Sequence, residues 1–359
     1  MLFVFYLIII IFLLFFRKKQ KYSWLIAAFT IVVLSITSID YADLTNYEPL
    51  FNYYNSGSFN DIFSVNNSVW ALLCKFFYSI GLNYRGMVIC LLFINYYLLH
   101  KAAKNLNCNE NRFFGLFLIF PSLIQLVQLK FFTAFVIIAL AYSILLLNKK
   151  KSIFIYTIMV LFASLIHSSV IVFLIFLFIK KKKINKNIIF IASIVLVIIF
   201  SLNLNFITNI SKNIISEQQY ERYVTDTITP SSFLWIVLIF FCWFICYCFS
   251  LLITKYSKLD KNDMQQLINN KNVISINLLL LTIPLLLLDR NMHRFLEMGY
   301  VILFFMVTSS FRDLKENKSY LPLILVLCVF LIIVMSIYTP YNTVLNPLFS
   351  FQKIVDIWR

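Results

Sequence analysis

The chain has 359 residues, of which 61% are hydrophobic and only 13% charged, whereas a soluble domain carries roughly 45–50% apolar residues and about a quarter charged ones. A single core of this size cannot hide so much apolar surface, which excludes a water-soluble enzyme and a disordered chain. The 7 Cys never adopt a metal-ligand spacing, so a zinc module and a disulfide scaffold are excluded as well. What remains is an all-α, polytopic membrane bundle. The net charge of +16 then matters through where the charges lie; the lipid bilayer is the expected partner and nucleic acid is not.

In chain order, apolar runs predict about twelve spans, near 2–16, 24–39, 86–100, 113–128, 131–147, 152–166, 168–179, 187–204, 233–254, 273–288, 295–310 and 320–338. Several fall short of the roughly 20 residues of a straight crossing, so short or re-entrant helices are expected on the outer side. The runs are too long and too uniformly apolar for barrel strands, and backbone groups in lipid must be satisfied internally. The first run is followed, not preceded, by Arg17, Lys18 and Lys19 and lacks a small-residue cleavage site. It therefore reads as a retained helix and not as a signal peptide. Residues 1–359 read as one integral membrane domain whose longest outer loops are about 40–85 and 205–232. Within the first loop, 69–81 is an apolar stretch suited to lying on the membrane or dipping into it.

Basic clusters set the orientation. Placing 17–21, 101–112, 149–151, 180–186, 255–271 and 312–318 on one side collects 22 of the 31 Lys and Arg there, against 5 of the 15 acids. The positive-inside rule makes that side cytoplasmic and puts both termini outside. Residues 152–179 lie between two Lys clusters and number 28, about 42 Å of helix at ~1.5 Å per residue. That is long for one crossing and short for two, so a hairpin of two short helices is expected, bent at 166–169 in the outer half of the membrane. An irregular bend at that depth must be buried in protein or line a wet cavity.

Candidate chemistry lies among the scarce outer charges, because an ionisable group at membrane depth is expensive. Asp40 and Asp43 stand where the second span emerges. Spaced by three, they share a face if the helix continues, and neighbouring carboxylates raise one another's pKa towards proton transfer. Their structural reading is a solvated loop start. Arg85, at the start of a span, is a third anion contact or an interface anchor. Lys130, with Gln125 and Gln128 nearby, is a lone cation between two apolar helices: a snorkelling Lys or a point charge for phosphate. His167 lies in Ala163-Ser164-Leu165-Ile166-His167-Ser168-Ser169, at the expected bend, and is a packing residue or a proton acceptor near neutral pH. Arg290 and Arg294, four apart in the cluster Asp289-Arg290-Asn291-Met292-His293-Arg294-Phe295-Leu296-Glu297, form either a bidentate grip on a pyrophosphate or a salt-bridge knot with Asp289 and Glu297. Cys242, Cys246 and Cys248 sit in an aromatic span and read as small hydrophobes.

Taken together, Asp43-x-x-x-Tyr47 after the second span, Leu129-Lys130-x-x-x-Ala134 before a basic turn, the Ala-Ser-Leu-Ile-His-Ser-Ser turn about thirty residues later, and Arg294 to Tyr300 in the last third resemble the EpsG family of exopolysaccharide proteins, which includes Wzy-type O-antigen and capsule polymerases. The likeness covers most of the chain, and the His167 turn is its most specific element. Two positions depart from it. Lys130-Phe131 stands where the family commonly has Arg-Gln, and Lys lacks the bidentate fork. Asn66 and Asn67 stand where an acidic residue is expected before Val69. The resemblance implies a glycosyltransferase that joins repeat units carried on undecaprenyl diphosphate, as both donor and acceptor, at the outer (periplasmic) face of the bacterial cytoplasmic membrane, with room for a chain-length regulator as partner. Under it, Arg290, Arg294, Lys130 and Arg85 would hold the diphosphate, and Asp40, Asp43 or His167 would take the acceptor proton. No cofactor and no metal is called for, since the cations can neutralise the leaving group.

Three other functions compete. An O-antigen ligase keeps the glycan chemistry and changes the acceptor. A flippase or exporter would place ionisable groups along a mid-membrane path, and no inverted repeat with broken helices is visible. An acyltransferase of surface sugars would use a His but has no need of paired Arg outside.

Overall fold

The computed structural model describes residues 2–16, 22–37, 42–56, 67–147, 150–180, 186–202, 230–257, 263–287, 293–310 and 320–338. Among these, helices account for all regular structure. They gather in two compact units, residues 1–173 with 311–359 and residues 174–310.

In the first unit, α1 (Leu2–Phe15) is apolar all round and buries only Tyr6, Ile10, Leu13 and Leu14. That stripe meets α6 (Glu110–Ile119), which has its apolar side chains buried on every face. Gly115 makes the approach possible: a Cβ there would lie 2.8 Å from Leu14 Cδ2. α2 (Ser23–Thr37) packs on α5 (Tyr84–Asn105) and on α6. α8 (Leu129–Leu146) is sandwiched between α5 and α9 (Ser152–Ser164). α14 (Tyr320–Tyr338) covers α6 and sets Tyr338 against Phe120, ring centres 5.4 Å apart.

The run read as one span over 113–128 is broken. α6 stops at Ile119, and the short α7 (Ser122–Val127) follows. Pro121 has no N–H to return to the Phe117 carbonyl four residues back. The Ser122 hydroxyl takes that carbonyl instead at 2.7 Å and accepts from Tyr96 at 2.9 Å. The freed group is thus satisfied inside the protein, as an apolar surround demands.

Within the segment read as an outer loop over 40–85, the described residues form α3 (Ala42–Ser56) and α4 (Ser68–Ser79), the latter on the apolar stretch expected over 69–81. α3 presents Tyr47 to Trp70 and Phe51 to Tyr78, ring centres 6.1 Å apart in both cases. The two helices therefore run side by side in the same direction. A sparse aromatic ridge at helical spacing, set among polar residues, is enough to seat α3 without making it apolar as a whole.

The bend expected at 166–169 is present. α9 ends at Ser164, and a 3-10 helix over Ser168–Lys180 follows. Tyr156 reaches back from α9 to the Phe173 carbonyl, so the chain has doubled on itself.

In the second unit, α11 (Pro230–Ser257), α12 (Asp263–Leu279) and α13 (Arg294–Ser310) pack on one another, and α10 (Lys186–Leu202) lies along a 3-10 stretch over Leu280–Leu287. Pro284 cannot donate an α-helical bond back to Leu280, where the helix tightens. Trp243 donates to the Ile276 carbonyl at 2.8 Å, and Gln265 and Asn269 reach Ser309 and Ser310, both at 2.8 Å. Cys242 and Cys246 are buried among these helices, as expected of small hydrophobes.

Among the described residues, four helices are long and apolar enough to cross a membrane: Tyr84–Asn105, Leu129–Leu146, Val237–Lys255 and Leu321–Tyr338. Leu2–Phe15, Ser23–Ile36, Ser152–Ser164 and Ser168–Lys180 are apolar but shorter. The other helices among the described residues fall short of that length or hydropathy.

Candidate active site

Three of the candidate residues fall on elements that meet around α4 in the first unit. His167 occupies the break between α9 and the 3-10 helix and is half-buried. Its ring stands edge-on to Phe131, with centres 5.4 Å apart, and its Nδ1 lies 2.8 Å from the Ser169 hydroxyl. Lys130 is the residue before Phe131, in the first turn of α8. It is half-buried and lies within electrostatic range of Cys74, midway along α4. Asp43 is in the first turn of α3, one turn before Tyr47, whose ring meets Trp70 near the start of α4. Because α3 and α4 run in the same direction, that first turn lies towards the Asn67 end of α4.

The break itself is held by α4. The Ser168 amide donates to Asn67 Oδ1 at 3.0 Å, and the Val69 amide donates to the Leu165 carbonyl at 3.1 Å. Asn67, which in the sequence stands out only as a departure from the family pattern, is thus part of the site. An Asn just before an apolar helical run is an N-cap signal, and that signal marks the position. Ser169, in sequence no more than a flank of His167, is the partner of its ring.

Two further candidates stand on other helices. Arg85 is exposed on the first turn of α5, beyond the far end of α4 and about 18 Å of helix from Asn67. Arg294 opens α13 in the second unit, half-buried, with His293 before it at 7% exposure and Glu297 one turn on at 0%. Asp40 and Arg290 lie outside the described residues.

Around Lys130 the first unit is unusually polar for a membrane bundle. Gln125, Gln128, Ser122, Thr133 and Asn95 are all buried. Asn95 donates to the Thr133 hydroxyl at 3.1 Å, and Thr133 donates to the Leu129 carbonyl at 2.9 Å. The start of α8 therefore carries a cation near buried amides in sequence, and its Phe131 borders the half-buried imidazole of His167. This arrangement suits binding an anion and accepting a proton, with polar groups in place of lipid around it.

Long apolar helices, broken by a bend that carries polar residues, define a membrane protein of all-helical build. The chain belongs to the EpsG family, a family of Wzy-like polymerases, whose model matches residues 21–352, nearly the whole chain. No curated protein matches the chain. No solved structure matches it either.

Proposed function

We propose that the chain is a polysaccharide polymerase that joins oligosaccharide repeat units carried on undecaprenyl diphosphate, at the outer face of the bacterial cytoplasmic membrane. The family match over residues 21–352 carries this reading. The half-buried His167 at a polar break supports it. In the reaction an acceptor sugar hydroxyl attacks the anomeric carbon of the donor chain. The bond from that carbon to the diphosphate oxygen breaks, the lipid diphosphate leaves, and the hydroxyl proton passes to a base.

His167 is the proposed base. In the tautomer whose Nδ1–H donates to Ser169, the Nε2 lone pair is the one that takes the proton. Asp40 and Asp43 are the coupled carboxylates of the same step. Lys130 neutralises charge on the leaving diphosphate. Arg290 and Arg294 grip it, a role that rests on their spacing. Arg85 is the weakest member of that set, being exposed. The proposed topology has about twelve crossings with the Lys-rich loops cytoplasmic, as the charge asymmetry favours. A chain-length regulator fits this scheme as a partner.

Deleting the gene tests the reading. A polymerase mutant displays single repeat units at the surface, a flippase mutant displays none, and a ligase mutant accumulates long lipid-linked chains. In vitro, lipid-linked repeats extracted from the deletion strain serve as substrate for the purified protein. His167→Gln is expected to lose roughly 100-fold or more in rate, as befits a general base. Unchanged polymer output from Arg294→Ala removes Arg294 from the mechanism.

A further inference from the structure

Asn67 occupies the N-cap of α4, with its backbone in the left-handed region at φ +90°. Asn is among the few residues that adopt that region readily. An N-cap Asn ordinarily turns its side-chain oxygen onto the amide two or three residues ahead in its own helix. Here it makes no such bond. The side chain instead accepts from Ser168, 101 residues along the chain, while the Val69 amide that it might have capped donates to Leu165. The two helices have exchanged partners across the break. The exchanged bonds fall on residues 165 and 168, which bracket His167 on both sides.

The consequence is geometric. A helix break has backbone groups with no partner within the helix, and a free bend would let the His167 ring swing with it. Clamped at both flanks by α4, set edge-on to Phe131 and bonded through Nδ1 to Ser169, the residue has its backbone, its ring plane and one ring nitrogen each restrained by a different contact. Small displacements of a general base cost rate steeply, because proton transfer requires hydrogen-bond distance in the transition state.

We infer that Asn67 is a positioning residue for His167: its side-chain carbonyl, withdrawn from capping α4, fixes the bend that presents the imidazole to the acceptor hydroxyl. This rests on the proposed role of His167 as base.

The test uses the purified full chain in lipid nanodiscs, with lipid-linked oligosaccharide extracted from the gene-deletion strain as probe. Three variants are compared: Asn67→Gly, Asn67→Asp and His167→Gln. Glycine tolerates the left-handed backbone and removes only the side-chain acceptor, so its effect is not confounded by strain. Asn67→Gly is expected to lose roughly tenfold in kcat with KM within about twofold of the parent. Asn67→Asp restores the acceptor, is expected to recover most of kcat, and adds a negative charge beside the bend. That charge favours the imidazolium, so the acidic limb of the pH–rate profile moves to higher pH by about half a unit or more. Asn67→Asp alone carries the test through this limb if Asn67→Gly does not fold.

Parental kcat in Asn67→Gly overturns the inference while His167→Gln is inactive, and leaves the base assignment standing. An equal fall in Asn67→Gly and Asn67→Asp with an unmoved acidic limb marks Asn67 as merely structural and also overturns it. Full activity in His167→Gln removes the base assignment itself, and the inference falls with it.

Discussion

The Tyr156 hydroxyl donates to the Phe173 carbonyl at 2.5 Å, although 17 residues separate them. In one continuous helix they would stand about 25 Å apart. The bond exists because the chain breaks at 165–167 and folds back, and the same break brings His167 to the start of α4 and to Phe131.

A hairpin returns the chain to the side of the membrane it left. Lys150→Cys and Lys183→Cys, introduced singly into a Cys-free background, are expected to behave alike towards a membrane-impermeant thiol reagent and to stay unlabelled in intact cells. Labelling of one and not the other would defeat the hairpin.

The α1–α6 contact depends on the missing side chain at Gly115. A Cβ added there meets Leu14 at 2.8 Å from Cδ2 and 3.2 Å from the backbone nitrogen, so α1 must give way. Gly115→Ala is expected to cost about 1–3 kcal/mol, read as a lower Tm in detergent. Adding Leu14→Ala should relieve part of the clash, so the double variant is expected to lose less than the sum of the two single losses.

Ser122 mends the backbone where Pro121 breaks it. Ser122→Ala leaves the Phe117 carbonyl and the Tyr96 hydroxyl each short of a bond. The expected cost is about 1–3 kcal/mol. Tyr96→Phe in that background should cost little more than Ser122→Ala alone. A double-mutant cycle followed by thermal unfolding measures the coupling, and strict additivity would show that the three groups do not act together.

Ser169 holds the Nδ1 edge of the His167 ring through a 2.8 Å contact. Ser169→Ala is expected to lower kcat roughly 3–30-fold, with Ser169→Thr closer to the parent. Steady-state rates on extracted lipid-linked repeats decide it, and a Ser169→Ala rate equal to the parent's would exclude the role.

Much of the helical plan is legible in the order of the residues. Uniformly apolar stretches such as 2–15 and 320–338 have no alternative to a helix in lipid, and 28 residues between two Lys clusters are best accommodated by doubling back. α3 escapes such a reading because its polar residues outnumber the aromatic ridge of Tyr47 and Phe51 that seats it. The break inside 113–128 escapes it because hydropathy does not register the lost N–H of Pro121. Of the candidate site, His167 and Lys130 are visible as polar residues out of place. Asn67 is not, because its bond to Ser168 spans 101 residues.

Composition by itself determined that this is a helical membrane protein, since that property follows from the transfer cost of each residue and needs no knowledge of neighbours. Only the tertiary structure decided that α4 clamps the bend carrying His167 and that the start of α8 lies beside it. Such contacts depend on how rigid helices stack, and that stacking answers to side-chain shape and to single hydrogen bonds between distant parts of the chain.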